Sequence, residues 1–389
     1  MRFPGFTEEW KTKKLGDVMS FKVTNSFSRE ILNYEAGIVK NIHYGDIHTK
    51  FQTLFNITKE VVPFINEDIN LVRIADENYC REGDIIFADA SEDLNDVGKS
   101  IEILKLNNEK LLSGLHTLLA RPKANYFQKG FNGYLFKSNT VRLKIQKEAQ
   151  GSKVLSINAG RLSNIEITFP NILEQQKITI FLSLIDFRIQ TQNKIIEQLE
   201  TLIQNCCNQI FKQKIRFKDE DGNDFSEWRE VKIGDILKIG NGKDYKHLPS
   251  GQVPVFGTGG FMTLVDDFLY DGETVCIGRK GTIDKPMYHE GPIWTVDTLF
   301  YTHSFQSCIP KFIFYLFQTI NWLEYNEASG VPSLSKSTIE KIKIEIPSIN
   351  EQKQITSFLS KIDKKIEAEK AILVQFEKQK KYLLHQMFV

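Results

Sequence analysis

The chain has 389 residues, enough for two or more domains with sizeable cores. Hydrophobic residues make up 41% and charged residues 25%, the balance of a globular protein, and a net charge of +1 announces no bulk affinity for nucleic acid. No apolar run reaches membrane-spanning length, Met1-Arg2-Phe3-Pro4 is not an apolar signal region, and the five cysteines contain no Cys-x-x-Cys. A cytoplasmic protein with no disulfide frame, zinc site or membrane contact is therefore expected.

Phe6-Thr7-Glu8-Glu9-Trp10 leads to Leu15-Gly16-Asp17-Val18. Strand-prone runs follow at Ile85-Ile86-Phe87 and at Val141-Arg142-Leu143-Lys144-Ile145, set between Gly, Asn and Asp turns. Between them Asp96-Val97-Gly98-Lys99-Ser100 has the Gly-Lys-Ser end of a phosphate-binding loop. Asp93 stands where the first glycine belongs, so no nucleotide cradle is expected. Ile165-Glu166-Ile167-Thr168-Phe169-Pro170 reads as a strand closed by proline. The capping box Asn171-x-x-Glu174 then marks the start of a long helix.

That helix carries a heptad pattern from Glu174 to Phe211. Ile178, Ile185, Gln192, Leu199 and Cys206 occupy the a positions; Leu182, Ile189, Ile196, Ile203 and Ile210 occupy d. A polar linker, Lys218 to Asp224, precedes a second opening, Phe225-Ser226-Glu227-Trp228 and Ile233-Gly234-Asp235-Ile236. Strands are expected at Thr274-Val275-Cys276-Ile277 and Leu299-Phe300-Tyr301, and a helix over Lys311 to Asn321. Ile342-Lys343-Ile344-Glu345-Ile346-Pro347 and Ser348-x-x-Glu351 then start a second long helix. Its a row is Ile355, Ile362, Glu369, Phe376 and Leu383, and its d row is Leu359, Ile366, Leu373, Lys380 and Met387.

The second half of the chain repeats the first. The Trp-to-Gly openings match at an offset of 218, Gly83-Asp84-Ile85-Ile86 matches Gly272-Glu273-Thr274-Val275 at 189, and Tyr134-Leu135-Phe136 matches Tyr315-Leu316-Phe317 at 181. Glu148-Ala149-x-Gly151 matches Glu327-Ala328-x-Gly330 at 179, and the long helices match at 177. An offset that only falls keeps the matches in order, as a tandem duplication requires. The segments are 1–170, a module; 171–217, a long helix; 218–346, a second module; and 347–389, a second long helix.

Connectivity orients the helices. The short linker holds the second module near the far end of the first helix, so the second helix must run back if the heptad faces pair. Ile185, Ile189, Gln192, Ile196 and Leu199 would then meet Ile362, Ile366, Glu369, Leu373 and Phe376. Gln192 and Glu369 would form a central polar layer that sets register. Such a helix spans roughly 55 Å, against about 34–36 Å for one turn of B-DNA. An antiparallel coiled coil with a module at each end and an approximate two-fold axis is expected.

Catalytic chemistry is hard to find. The seven histidines have no metal-ligand spacing, and Asp84 and Asp89 are not kept as a pair in the repeat, where Glu273 and Gly278 stand. Phe256-Gly257-Thr258-Gly259-Gly260 suits a tight turn near a ligand backbone better than a dinucleotide loop. Local clusters that suit DNA do occur. The densest is Gly278-Arg279-Lys280-Gly281-Thr282-Ile283-Asp284-Lys285, where flanking glycines permit close approach and the cations can reach phosphates or guanine edges. Further candidates are Lys243, Tyr245 and Lys246; Thr258 and Gly259 with Phe261; and Ser333, Ser335 and Lys336. The first module offers Asn41, His43, Tyr44, Ser91, Lys99, Lys153 and Ser156.

Two modules opened by Trp-x(5)-Leu/Ile-Gly-Asp and closed by strand, proline, Glu-Gln and a long helix resemble the specificity subunit of a type I restriction–modification enzyme. The carrying residues are Trp10, Leu15-Gly16-Asp17, Pro170, Glu174-Gln175 and Asp186, then Trp228, Ile233-Gly234-Asp235, Pro347, Glu351-Gln352 and Asp363. The resemblance covers essentially the whole chain. It implies a mixed α/β (α+β) fold with two tandem target-recognition domains, each reading one half of a bipartite site in double-stranded DNA. It also implies helices that space the half-sites and dock two methyltransferase subunits, with restriction (endonuclease/translocase) subunits joining. No catalytic residue, metal or cofactor would belong to this chain; S-adenosylmethionine, ATP and magnesium would belong to the partners. In the first module Ala88-Asp89-Ala90-Ser91 departs from the Gly- or Arg-containing loop usual in the family. A coiled-coil adaptor that does not bind DNA, or an enzyme with an unrecognised site, are the rival readings.

Overall fold

The computed structural model describes residues 2–388; Met1 and Val389, at the outer limits of the first and last expected segments, lie outside the described residues. The chain forms two compact units. One comprises the residues up to Thr191 with those from Leu373 onward, the other Gln192–Ile372.

In the first unit a five-stranded sheet runs in the order Met19–Lys22, Thr117–Pro122, Ile85–Ala88, Ser100–Lys105, Leu54–Asn56. Its central strand Ile85–Ala88 is buried at every position, which explains its unbroken apolar run. A four-stranded sheet holds Lys110–Ser113, Val39–Ile42, Phe64–Ile65 and Leu32–Asn33. Lys11–Lys14 pairs with Glu166–Phe169, tying the start of the unit to the strand that feeds the long helix.

The second unit has its own two four-stranded sheets. One runs Lys238–Asn241, Leu299–His303, Thr274–Gly278, Met287–His289; the other Gly260–Val265, Val253–Gly257, Pro292–Thr295, Tyr270–Asp271. Arg229–Lys232 pairs with Lys343–Ile346 as its counterpart does in the first unit. The Leu-Gly-Asp and Ile-Gly-Asp motifs form one-turn helices, Leu15–Val18 and Ile233–Ile236. Their glycines have a packing reason: a Cβ on Gly16 would stand 2.9 Å from Ser163 Cβ, and one on Gly234 would stand 3.0 Å from Glu340 Cβ. The short helices Ala159–Asn164 and Lys336–Lys341 approach that closely only because no side chain intervenes.

The long helices cover Ile172–Phe211 and Ile349–Met387. In the first unit Ile178, Leu182 and Ile185 share a core with Leu383, Leu384, Met387 and Phe388. In the second, Ile203, Cys207 and Ile210 share one with Ile355, Leu359 and Ile366. The start of each helix thus meets the end of the other, and the pair is antiparallel. All a and d residues are buried or half-buried. The stripe widens to Cys207, Leu384 and Phe388 where the helices meet the globular cores.

Gln192 and Glu369, each about 93% buried, do meet: the Gln192 amide donates to the Glu369 carbonyl at 3.0 Å and to its carboxylate. Lys380, a cation at a d position, pairs with the Asp186 carboxylate. Leu199, Ile362, Leu373, Phe376 and Ile189 line the seam half-buried, and Ile196 is buried.

Three expectations need correction. Val141 to Ile145 is no strand but lies in the helix Asn139–Glu148, capped by Ser138. A strand would bury every second residue; instead Val141 and Ile145, four apart, are buried while Leu143 is 47% exposed. The helix expected over Lys311 to Asn321 is Pro310–Phe317, started by its proline. The capping boxes are half formed. Asn171 and Ser348 side chains accept from the amides of Glu174 (3.0 Å) and Glu351 (3.4 Å), but both glutamate carboxylates turn to other partners.

Candidate nucleic-acid interface

Those partners build the frame on which the reading loops stand. Glu174, wholly buried, binds the Arg2 guanidinium through both carboxylate oxygens at 3.0 and 2.6 Å. Glu351, equally buried, accepts from Arg216 at 3.3 and 3.0 Å and from the Trp228 indole at 3.2 Å. The bidentate fork suits the guanidinium, whose pKa each carboxylate raises.

The neighbouring glutamines clamp a loop. Gln175 donates to the carbonyls of Tyr126 (3.0 Å) and Pro170 (2.9 Å) and accepts from the Gln128 amide (2.8 Å). Gln352 repeats the pattern with Ser307 (3.1 Å), Pro347 (3.0 Å) and the Ile309 amide (2.9 Å). One heptad and a half onward, the Tyr134 hydroxyl donates to Asp186 at 2.8 Å and the Tyr315 hydroxyl donates to Asp363. Burial raises both tyrosine pKa values, so both hydroxyls stay protonated donors.

The loop after Thr274–Gly278 is stitched down by its backbone. Arg279 N–H donates to the Thr298 carbonyl (2.8 Å), Gly281 N–H to Pro332 (2.8 Å), and Leu334 N–H to the Arg279 carbonyl (2.9 Å); Lys280 bridges Ser333. Gly278 is obligatory, since a Cβ there would stand 2.1 Å from the Thr282 carbonyl oxygen, and Gly281 has φ +94°. The side chains of Arg279 and Lys280 stay exposed, and among the described residues no carboxylate pairs with either. Arg279 lies over the Phe300 ring, 5.8 Å from its centroid, with Nη1 donating to the Asp297 carbonyl at 3.4 Å.

Three of the sequence clusters converge here. Thr258, Gly259, Thr282 and Lys285 line one cavity of about 570 Å³. A Cβ on Gly281 would touch Thr258 Oγ1 at 3.4 Å, and Ser333 lies across the bridge from Lys280. Asp363, Lys364 and Glu367 of the second long helix line the same cavity. Ser335 caps the helix Lys336–Lys341 and donates to Glu327 at 2.8 Å, so its hydroxyl is committed; Lys336 pairs loosely with Glu340 at 3.7 Å.

Lys243 and Lys246 are exposed on a loop whose backbone is fastened to Thr295 and to the Trp294 indole, while Tyr245 packs in the small core around Val255. Beside them the hairpin Val253–Gly257 and Gly260–Val265 exposes Phe261 (60%) and Met262 (50%). Phe261 stands out in the sequence beside the glycine turn, whereas Met262 carries no comparable signal there.

The first unit is organised differently. Asn41 is completely buried, accepting from Asn25 at 2.8 Å, and His43 is 7% exposed, capping the helix Tyr44–Thr49 with Nδ1 accepting from Gly45 N–H at 3.2 Å. Burial and nearby Arg29 lower the His43 pKa, which keeps that nitrogen an acceptor. Neither side chain presents itself to DNA as the sequence suggested, because both hold local structure. Tyr44 is half-buried among the rings of His43, His48 and His116. Lys99 pairs with Asp96 at 2.5 Å. Ser91 and Ser156 lie on one two-stranded ribbon but face opposite sides, since Ser91 stands opposite Leu155 and Ser156 opposite Ala90, and Lys153 is exposed close by in sequence.

The description "type I restriction modification DNA specificity domain" belongs to a family model that matches residues 7–201 and 225–378. The putative type I restriction enzyme MjaX specificity subunit of Methanocaldococcus jannaschii is 26% identical over 420 residues, spanning 97% of this chain and 92% of that protein. The crystal structure of a type I restriction–modification system S subunit from M. genitalium shares the fold at 19% identity with TM-score 0.59, over 100% of this chain and 99% of that one. A chain from a study of complex assembly and conformational transition of the type I restriction–modification system aligns at 15% identity with TM-score 0.60, over 97% of each chain.

Proposed function

The chain belongs to the type I restriction–modification DNA specificity family, and from that premise we propose that each of its two units reads one half of an asymmetric bipartite site in double-stranded DNA. It is a specificity subunit and not one of the catalytic subunits. One observation carries the proposal: the units share a frame and differ at the loops. The Arg–Glu fork, the glutamine clamp and the Tyr–Asp bond occur in both. The exposed Arg279-Lys280 loop of the second unit has no like-charged counterpart at Ala88-Asp89-Ala90-Ser91.

In the second unit Arg279, Lys280, Thr282, Lys285, Thr258 and Gly259 form the reading face, with Lys243 and Lys246 as phosphate contacts and Lys336 at the margin. In the first, Ser91, Ser156 and Lys153 are the accessible set. The helix pair fixes the interval between half-sites, and two methyltransferase subunits dock on its exposed faces, where Lys194, Lys364 and Lys378 are solvent-accessible. Restriction subunits complete the assembly in the cytoplasm, and S-adenosylmethionine, ATP and magnesium are used by those partners. Among the described residues no helix is long and apolar enough to cross a membrane.

The test is co-expression with a methyltransferase partner, followed by mapping of modified adenines. A bipartite pattern is expected. Its gap should change, with both half-sites retained, when one heptad is added to each long helix. Altered half-site bases in that variant would overturn the assignment of spacing to the helices.

A further inference from the structure

Gly98-Lys99-Ser100 resembles the end of a phosphate loop, yet it runs into the strand Ser100–Lys105 and not into a helix. It borders a cavity of about 260 Å³ in the first unit, lined by His48, Thr53, Lys99, Ser100, Lys137 and Arg142 with three apolar side chains. Among the described residues no carboxylate lines it. The volume falls below the roughly 300–1,000 Å³ of drug-sized sites and suits a small ion.

Two nitrogens of the lining residues, Arg142 Nη1 and His48 Nδ1, are buried without a hydrogen-bond partner. The Arg142 guanidinium is anchored by Nη2, which donates to the carbonyls of Asn95 (3.0 Å) and Val97 (2.7 Å). Its Nη1 faces the turn, 3.6 Å from where a Cβ on Gly98 would be. His48 Nε2 donates to the Ala90 carbonyl at 3.2 Å, leaving Nδ1 an open acceptor that the O–H of a hydrogenphosphate can meet. Lys137 is solvent-exposed and donates to Thr53 Oγ1 at 2.9 Å. A buried guanidinium nitrogen with no partner is unfavourable until an acceptor joins it.

The frame does not need these charges. Phe87 pairs with Ser100 in the first unit as Cys276 pairs with Met287 in the second. Ser100 and Lys99 therefore correspond to Met287 and Pro286. The Tyr134–Tyr315 match sets Gln318 against Lys137 and Leu323 against Arg142. The second unit folds on the same plan with no cation at any of the four places.

We propose that this cavity is a binding site for a phosphate-type oxyanion, held by the Arg142 and Lys137 cations with the Ser100 hydroxyl completing the donors, while Lys99 stays paired with Asp96. Charge-assisted hydrogen bonds from an arginine fork are the strong contacts such an ion takes. The phosphate group can belong to a free ion or monoester, or to a DNA backbone, and the site stands whether or not the chain reads sequence.

The full chain is titrated with sodium phosphate and, at matched ionic strength, with sodium chloride, following thermal unfolding and the phosphorus NMR linewidth. A saturable stabilisation specific to phosphate is expected. It should weaken at least tenfold in Lys137→Met and Arg142→Ala and persist in Gln318→Ala at the matching place of the second unit. Because Arg142→Ala also frees two carbonyls, Lys137→Met, which keeps length and removes charge, is decisive if the arginine variant unfolds. Repeating the titration with duplex DNA present separates the sources: a duplex that abolishes the response supplies the phosphate itself, and one that leaves it intact shows a free ligand. Either result upholds the site. A phosphate response no larger than chloride's, or one undiminished in both variants, overturns it.

Discussion

Gln352→Ala tests the claim that the Glu-Gln motif is a structural clamp. Gln352 is fully buried and makes three hydrogen bonds of 2.9 to 3.1 Å to Ser307, Pro347 and Ile309. Truncation leaves the Ile309 amide and two carbonyls without their partner. Each buried unpaired group costs about 1–3 kcal/mol, and some relaxation toward neighbours is inevitable, so a loss of about 2–4 kcal/mol is expected. Urea unfolding followed by tryptophan fluorescence is well placed to see it, because Trp228, Trp294 and Trp322 lie in the second unit and Trp10 in the first. Hydrogen exchange should show the loss confined to the second unit. Gln175→Ala should produce a matching loss in the first unit, since its three partners are equivalent. Gln352→Glu should be no rescue above pH 6: a carboxylate still accepts from Ile309 but sets an anion against two carbonyl oxygens. A loss below about 0.5 kcal/mol in both alanine variants would refute the clamp, since that is the range of an ordinary surface change.

Three further outcomes are expected. Burial raises the Glu102 pKa from 4.5 to about 7 against the pull of the Gly130 and Gly133 amides, which donate at 2.5 and 2.7 Å. A raised folded pKa means that its contribution is full below about pH 4.5 and is lost as pH rises through 7, by up to about 3 kcal/mol. Glu102→Gln should flatten that slope in first-unit unfolding between pH 5 and 8, and an unchanged slope would count against the assignment. Gln192→Leu should lower the melting temperature by leaving the Glu369 carboxylate with Lys365 alone, while the double variant with Glu369→Leu should melt no lower than the natural chain; equal melting of all three would remove the polar layer's role. Arg279→Ala should weaken specific DNA binding by about 1–3 kcal/mol and relax one half-site, whereas Lys243→Ala should weaken all sequences alike and lower the salt slope. Fluorescence anisotropy across a salt series distinguishes the two, and matching effects would show that Arg279 does not read bases.

Order and period were legible from residues alone. The falling offsets revealed the duplication, the heptads revealed the helix pair, and the short linker made it antiparallel, all because 3.5-residue periodicity and chain connectivity are local constraints. Gln192 and Glu369 were placed together on those grounds, and they do meet. Tertiary structure decided what local pattern leaves open. Val141 and Ile145 alternate with Leu143 as a strand would, but only the core on one side buries them, and a helix presents that pair without Leu143. Asn41 and His43 have the chemistry of DNA contacts, but polar character does not tell whether a side chain faces solvent or caps a turn. Arg142 and His48 raised no signal, since their open nitrogens exist only where a helix, a strand and a turn close around one cavity. Burial depends on partners distant in sequence, and those are assembled only by the folded chain.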